Sequence, residues 1–271
     1  MEAGEGPAVL LLHGLGSSLD TWRRNVQPLA DAGYRVLAPD LPGHGDSDKP
    51  VSQDYDPLAA VDFTSRLLDA LGVQKASLVG NSAEGLLATM FALEHSERTG
   101  RLALVEPGRQ ISWFLRLMSV PAIGEFLYHP WTYHLMGINK RVFHEPSSVP
   151  DGVLTEMARV HALPGSIRTT IRSLRSSINL KGVRPEWQVL DRLPQLAAPL
   201  MCLWGAQDNI IPVGHSSLIK NAIPQSLVRT LPQCGHWPHM EKADEFNNLL
   251  TPFLEGSLDD QNGSIPGPVH V

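Results

Sequence analysis

The sequence has few cysteines, no block of basic residues and no long hydrophobic run. Its two cysteines, Cys202 and Cys234, form neither a metal-binding spacing nor a disulfide framework, so we expect both to be buried free thiols. No apolar run approaches the roughly 18 residues that a membrane-spanning helix needs. The formal net charge of −6, with no basic block, argues against a nucleic-acid-binding protein.

The composition is that of an ordinary globular protein. Hydrophobic residues make up 42% and charged residues 18% of the 271 residues, which is enough chain for one large domain with its own core. The acidic N-terminus, "MEAGEGPAVLLLHG", has too short an apolar run for a secretory signal. We therefore expect a cytoplasmic protein without a membrane span, whose partner is a small-molecule substrate and not a nucleic acid.

Short apolar runs alternate with helical patterns along much of the chain. The run "AVLLLH" at 8–13 is continuously apolar, as in a strand that is buried on both faces. Further strands are predicted at residues 34–40, 75–80, 101–107, 198–205 and 226–232. This alternation of strands and helices predicts an α/β fold with a mostly parallel, doubly wound sheet.

The alternation is interrupted by residues 108–187, which combine helical spacing and many aromatic side chains with no convincing strand. We call these residues the cap segment, because a helical insertion between strands of a parallel sheet is expected to cover its active edge. A second, independent helical domain is the alternative. The α/β core is then formed by residues 1–107 and 188–254, and residues 255–271 are expected to be a disordered tail.

Three residue types that nucleophilic catalysis requires follow successive predicted strands. Ser82 lies in "GNSAEG", between a strand and a helix, which is the context of a nucleophile elbow. Asp208 and His236 each follow a later predicted strand. A serine hydroxyl becomes a good nucleophile when a histidine takes its proton and a carboxylate orients that histidine. The order Ser, Asp, His therefore predicts a catalytic triad at the carboxyl edge of the sheet.

Two of these assignments have competitors in the sequence. Glu106 also ends a predicted strand, so it is an alternative to Asp208 as the acid. His215 and His239 are alternatives to His236, although we expect both to be surface or helix-start histidines.

Several motifs resemble the α/β-hydrolase fold superfamily over roughly residues 7–254. They are "HGLGSS" (13–18), "DLPGHGDSDKP" (40–50), "GNSAEG" (80–85), "WGAQDNIIP" (204–212) and "CGHWPHMEKADEFN" (234–247). The passage "GVRPEWQVLDRLPQLAAPLMCLWG" and the Gly-His-Trp step are similar to meta-cleavage-product hydrolases, which hydrolyse carbon–carbon bonds in vinylogous diketones.

This resemblance implies a cofactor-free serine hydrolase that cleaves an ester or an activated carbon–carbon bond through an acyl-enzyme. The substrate would be a small molecule with an apolar portion. The resemblance assigns Ser82 as the nucleophile, Asp208 as the acid and His236 as the base. It assigns the oxyanion hole to the backbone N–H groups of Leu15 and Ala83, and it implies neither a cofactor nor a metal.

Two features depart from the family pattern. Glu84 lies where the elbow normally has a small residue; its carboxylate would favour the helix N-terminus but oppose negative charge in the oxyanion hole. We therefore expect Glu84 to point away from that hole. If it impaired the site, the chain would instead be a non-catalytic ligand-binding or interaction protein on the same fold. Only 12 residues precede His13, so the family's first antiparallel strands are expected to be missing and a sheet edge to be exposed.

Overall fold

The computed structural model describes residues 1–107, 111–129, 131–132, 137, 141–145, 147 and 149–258. Its strands are β1 (Glu2–Ala3), β2 (Ala8–Leu12), β3 (Arg35–Leu37), β4 (Ala76–Asn81), β5 (Thr99–Val105), β6 (Ile178–Asn179), β7 (Gly182–Val183), β8 (Leu200–Gly205) and β9 (Leu227–Leu231). Seven of them form one sheet in the order β1-β3-β2-β4-β5-β8-β9. All neighbours in this sheet are parallel except β1 and β3. The predicted mostly parallel sheet is confirmed.

Helices cover both faces of this sheet. They are α1 (Val26–Asp31), α2 (Pro57–Ala70), α3 (Ala83–Glu94), α4 (Trp113–Met118), α5 (Ile123–Leu127), α6 (Val153–Ala162), α7 (Ser166–Ser177), α8 (His215–Ala222), α9 (Pro238–Glu241) and α10 (Ala243–Glu255). Short 3-10 helices lie at Leu19–Trp22, Ser96–Arg98, Pro185–Trp187 and Leu190–Gln195. Residues of α2, α3 and α8 pack into one core cluster and residues of α1 and α10 into another. None of the described helices has the length and apolar composition that a membrane crossing requires.

Strand β2 shows why its sequence is continuously apolar. Successive side chains of a strand point to opposite faces of the sheet. Leu10 and Leu12 therefore belong to the cluster under α2, α3 and α8, while Val9 and Leu11 belong to the cluster under α1 and α10. All four side chains are completely buried. The sheet thus separates two hydrophobic cores.

The first residues of the chain pair with the sheet. Strand β1 is antiparallel to β3, with Glu2 opposite Leu37 and Ala3 opposite Val36. Of the family's first antiparallel strands, the described residues before β2 supply only this two-residue strand, which covers part of β3.

The cap segment lies between β5 and β8, and its described residues form α4 to α7. The expectation that it contains no strand is wrong, because β6 and β7 pair as a small antiparallel hairpin. Thr169 of α7 donates a hydrogen bond to the carbonyl oxygen of Gly43 (2.6 Å), and Ser176 donates one to that of Tyr55 (3.0 Å). These two bonds attach α7 to the loop that follows β3.

The chain leaves the last helix at Glu255. Gly256 follows with φ 84°, the left-handed conformation that commonly ends a helix. Leu258 packs against the core cluster of α1 and α10, so the beginning of the predicted tail contacts the core. Residues 259–271 of that tail, and residues 108–110 of the cap segment, lie outside the described residues.

Alanine at Leu10 or at Leu11 should lower the free energy of unfolding by roughly 2–5 kcal/mol, because each change opens a cavity, one on either face of the sheet. The matched control is Leu58→Ala on α2, where the side chain is half exposed; its effect should stay within about 0.5 kcal/mol. Urea unfolding measures all three variants. A loss at Leu11 as small as that at Leu58 would show that the sheet does not bury both faces.

Candidate active site

Ser82 lies on a tight turn between β4 and α3. Its backbone has φ 56° and ψ −119°. This conformation costs a non-glycine residue about 1–3 kcal/mol and persists only where the surrounding structure holds it. Gly80 makes the turn possible, because a Cβ at this position would lie 2.5 Å from the carbonyl oxygen of Glu84. The N–H of Ser82 donates to the carbonyl oxygen of Val105 (2.8 Å) and so joins the turn to the end of β5. The strand–turn–helix geometry of a nucleophile elbow is present.

Asp208 and His236 form a buried hydrogen-bonded pair. His236 Nδ1 lies 2.7 Å from Asp208 Oδ2, and the two residues are only 4% and 8% exposed. Asp208 Oδ1 accepts the N–H groups of Ile210 (2.7 Å) and Ile211 (3.0 Å). Burial alone would raise the pKa of Asp208, but its bonds to His236 and these N–H groups outweigh burial and lower it. Asp208 is therefore ionised, and an ionised carboxylate can accept a hydrogen bond only from the Nδ1–H tautomer of His236.

The loops that carry this pair are fixed by close backbone approaches. A Cβ on Gly205 would collide with the carbonyl oxygens of Cys234 and Gly235. The Glu241 carboxylate accepts hydrogen bonds from the N–H of Gly235 (2.7 Å) and from the N–H groups of residues 144 and 145 in the cap segment. The sequence motifs did not indicate this role for Glu241. The N–H of His236 donates to Val142 (2.7 Å), so the histidine loop is bonded to the cap segment as well.

A cavity of about 470 Å³ brings the predicted residues together. Leu15, Ser82, Ala83 and His236 all line it, and Asp208 is bonded to His236. A Cβ on Gly14 would lie 2.8 Å from Oδ1 of the residue before Ser82, so only glycine lets the loop of Leu15 approach the elbow. Ala83 is the first residue of α3, where backbone N–H groups have no partner within the helix. These two loops are therefore adjacent at the cavity.

The cap segment contributes many of the apolar side chains of this cavity. They include those of Trp113, Phe114, Met157, Val160 and Leu174, on α4, α6 and α7. The cavity has the size and the mainly apolar lining of a site for a small molecule, and Ser82 and His236 lie in its wall.

Glu106 lies beside Asp208, but the carboxylate that is hydrogen-bonded to His236 is that of Asp208. It follows β5 and is completely buried, and it accepts a hydrogen bond from the N–H of Gly205. Its carboxyl group also contacts that of Asp208. The hydrogen bond to His236 Nδ1 is made by Asp208, which is the arrangement that the sequence favoured.

His215 and His239 both lie at the start of a helix, as expected, but neither is at the surface. His239 is completely buried and packs against Trp22 with ring centroids 4.2 Å apart. Burial lowers its pKa to about 3, so it is uncharged. His215 is buried at the cavity, and burial lowers its pKa. Neither ring has a hydrogen-bond partner among the described residues, whereas His236 is bonded to Asp208.

Glu84 is buried at the cavity wall. Only 6% of the residue is exposed, and one oxygen of its carboxyl group is buried without a hydrogen-bond partner. Burial holds the pKa of Glu84 well above its usual value and so favours the protonated carboxyl group. A protonated Glu84 places no charge at the helix start and exerts no repulsion on an oxyanion. That Glu84 points away from the oxyanion hole stays a prediction.

Glu106, Asp208 and His236 are also the residues of the described chain whose polar atoms are grouped closely enough to hold a metal ion. Those atoms already bond one another or neighbouring backbone N–H groups. The cluster is therefore better explained by the hydrogen bonds it contains, and we assign no metal to it.

The chain is similar to known proteins over most of its length. A model of the alpha/beta hydrolase fold matches residues 7–148 and 162–243. The chain is 32% identical over 273 residues to 2-hydroxy-6-oxo-6-phenylhexa-2,4-dienoate hydrolase of Burkholderia cepacia, and 33% identical over 260 residues to the enzyme of that name from Comamonas testosteroni. Each alignment covers 93% of this chain and 89% of the relative.

Solved structures of hydrolases also superpose on most of this chain. A meta-cleavage product hydrolase from Pseudomonas fluorescens IP01 superposes with a TM-score of 0.78 at 25% identity, over 95% of this chain and 93% of the other. A serine hydrolase from the polyaromatic-hydrocarbon-degrading bacterium Cycloclasticus zankles superposes with a TM-score of 0.81 at 25% identity, over 96% and 94%.

Replacing Glu84 by glutamine should stabilise the protein increasingly as the pH rises. The folded protein keeps the proton of Glu84, whereas the unfolded chain releases it above about 4.5. The wild type therefore loses up to about 1.4 kcal/mol of stability per pH unit between 4.5 and the folded pKa, a loss that glutamine does not share. Glu106 is present in both proteins, so its contribution cancels in the difference.

Urea unfolding at a series of pH values measures this difference, with Glu94→Gln, exposed at the other end of α3, as the matched control. A difference between Glu84→Gln and wild type that is the same at every pH would mean that Glu84 is ionised in the folded protein.

Proposed function

The chain belongs to the α/β-hydrolase fold family and is a serine hydrolase, and on this basis we propose that Ser82 is its nucleophile, His236 its base and Asp208 the acid that orients the base. The N–H groups of Leu15 and Ala83 form the oxyanion hole. The observation that carries the proposal is the buried Asp208–His236 hydrogen bond of 2.7 Å, next to a cavity that the strained Ser82 lines.

In the first step the Ser82 hydroxyl attacks the carbonyl carbon of the substrate, and Nε2 of His236 takes the hydroxyl proton. Asp208 stabilises the imidazolium that forms, because its ionised carboxylate already accepts a hydrogen bond from Nδ1–H of His236. The carbonyl oxygen becomes an oxyanion and receives hydrogen bonds from Leu15 and Ala83; removal of one such donor typically costs about 3 kcal/mol of barrier.

In the second step the bond to the leaving group breaks, and His236 returns the proton to it. An acyl group remains on Ser82. Water then attacks this ester with His236 again as the base, and the acid product leaves with Ser82 restored. The reaction consumes one water molecule and needs no external oxidant or reductant.

The substrate is a carbonyl compound with an activated leaving group and an apolar portion. The names of the relatives specify 2-hydroxy-6-oxo-6-phenylhexa-2,4-dienoate, in which a ketone lies between a phenyl ring and a dienoate. We infer that this chain cleaves a carbon–carbon bond in a ketone of this kind. The aromatic and aliphatic side chains of α4, α6 and α7 would receive the apolar portion, which is the role that we propose for the cap segment.

A purely binding role has little support. It depended on a charged Glu84 that opposes the oxyanion, and burial raises the pKa of Glu84, which disfavours that charge.

Asp208→Asn should lower kcat by about 10⁴-fold, because an amide at this position favours the wrong imidazole tautomer of His236. Asp191→Asn, at an exposed carboxylate, is the matched control and should have no effect. Hydrolysis is measured with the phenylhexadienoate and with an aryl ester, since the second detects an esterase that cannot cleave carbon–carbon bonds. Equal activity of the two variants on the substrate that the wild type hydrolyses would remove Asp208 from the triad.

A further inference from the structure

Glu106 occupies an unusual position at the end of β5. It has φ 55°, a left-handed conformation that is uncommon for residues with a side chain, and it is completely buried. Its carboxyl group accepts the backbone N–H of Gly205, the last residue of β8. A glutamate thus connects the ends of two neighbouring strands at the edge of the sheet where the candidate triad lies.

The carboxyl group of Glu106 also lies close to that of Asp208. The polar atoms of Glu106, Asp208 and His236 all lie within 4.8 Å of one another. Two carboxyl groups this close repel each other when both are ionised, so the pair favours the state in which one of them keeps a proton.

The partners of each group decide which one keeps the proton. Asp208 accepts hydrogen bonds from the N–H groups of Ile210 and Ile211 and from Nδ1–H of His236. All three bonds favour its ionised form. Glu106 accepts the N–H of Gly205, and its second oxygen, Oε2, is buried without a hydrogen-bond partner among the described residues. Burial and the neighbouring Asp208 both raise the pKa of Glu106. The proton therefore belongs to Glu106.

The remaining ionisable groups around the pair leave this assignment unchanged. His215 is kept neutral by burial, which lowers its pKa. Burial raises the pKa of the Cys234 thiol, which therefore stays protonated.

We propose that Glu106 is a positioning residue of the triad, whose protonated carboxyl group donates a hydrogen bond to Asp208 and holds the Asp208 carboxylate in line with His236 Nδ1. The inference rests on the proposed function, since it gives Glu106 a role in the same site. Glu106 contacts neither substrate nor the reacting atoms, and it acts through Asp208 alone. The chain then uses two acids in series, one protonated and one ionised, to orient a single histidine.

Two variants of nearly equal size separate this role from packing. Glu106→Met fills the same space but removes both the donor to Asp208 and the acceptor for Gly205. Glu106→Gln keeps an N–H donor and an oxygen acceptor. We expect Glu106→Met to lower kcat by roughly 10- to 100-fold with little change in KM, as for the loss of a hydrogen bond to a charged group, and glutamine to recover most of that loss. Melting temperatures show that both variants are folded at the assay temperature.

Infrared spectroscopy tests the protonation directly and without substrate. At neutral pH the wild type should show the C=O stretch of a protonated carboxyl group that Glu106→Gln lacks. Glu84→Gln serves as the matched control, because it locates the band of the other buried acid. If Glu106→Met does not fold, this comparison still decides, since the absence of a Glu106 band would overturn the proposal.

The outcomes distinguish the inference from the proposed function. A wild type that hydrolyses neither substrate contradicts the proposed function, whatever the infrared spectrum shows. An active wild type, with Glu106→Met as active as wild type, or with no protonated band at Glu106, contradicts the inference alone.

Discussion

The close packing of the loops after β8 and β9 is the constraint on which the site depends. Gly205 and Gly235 approach so closely that a side chain on Gly205 would collide with the opposite backbone. This approach places Asp208 and His236 at 2.7 Å, and Glu241 and Val142 fix the histidine loop from the other side. A parallel sheet supplies the framework, because its strands end at one edge and carry their loops to the same place.

Three buried carboxyl groups near the cavity differ in charge because they differ in hydrogen-bond partners. Asp208 accepts three N–H donors and has a lowered pKa. Glu106 has one backbone donor, and Glu84 has a buried oxygen without a partner; burial raises the pKa of both. Of the three, Asp208 is the one whose surroundings favour the ionised form, and it lies beside His236 where an imidazolium would form. A charge on Glu84 or Glu106 would instead repel an oxyanion or compete for the histidine.

The sequence predicted the strands of the main sheet from β2 onward and the residues at their ends, because apolar runs and strand-end polar residues are local patterns. It did not predict β6 and β7, since two-residue strands are too short to show a periodicity. Nor did it predict the burial of His239, which packs against Trp22 from a distant part of the chain. The raised pKa of Glu84 also depends on surroundings that no short motif contains. Local motifs therefore identified the candidate triad, while the electrostatics around it required the folded chain.

The central claim is that Ser82 is an activated nucleophile, and covalent labelling tests it most directly. The purified protein is treated with a fluorophosphonate, which reacts with serines that a histidine activates, and the modified peptide is identified by mass spectrometry. We expect one adduct, on Ser82, that disappears in Ser82→Ala while the melting temperature stays unchanged. An unlabelled wild type, or an adduct on another serine that persists in Ser82→Ala, would contradict the account.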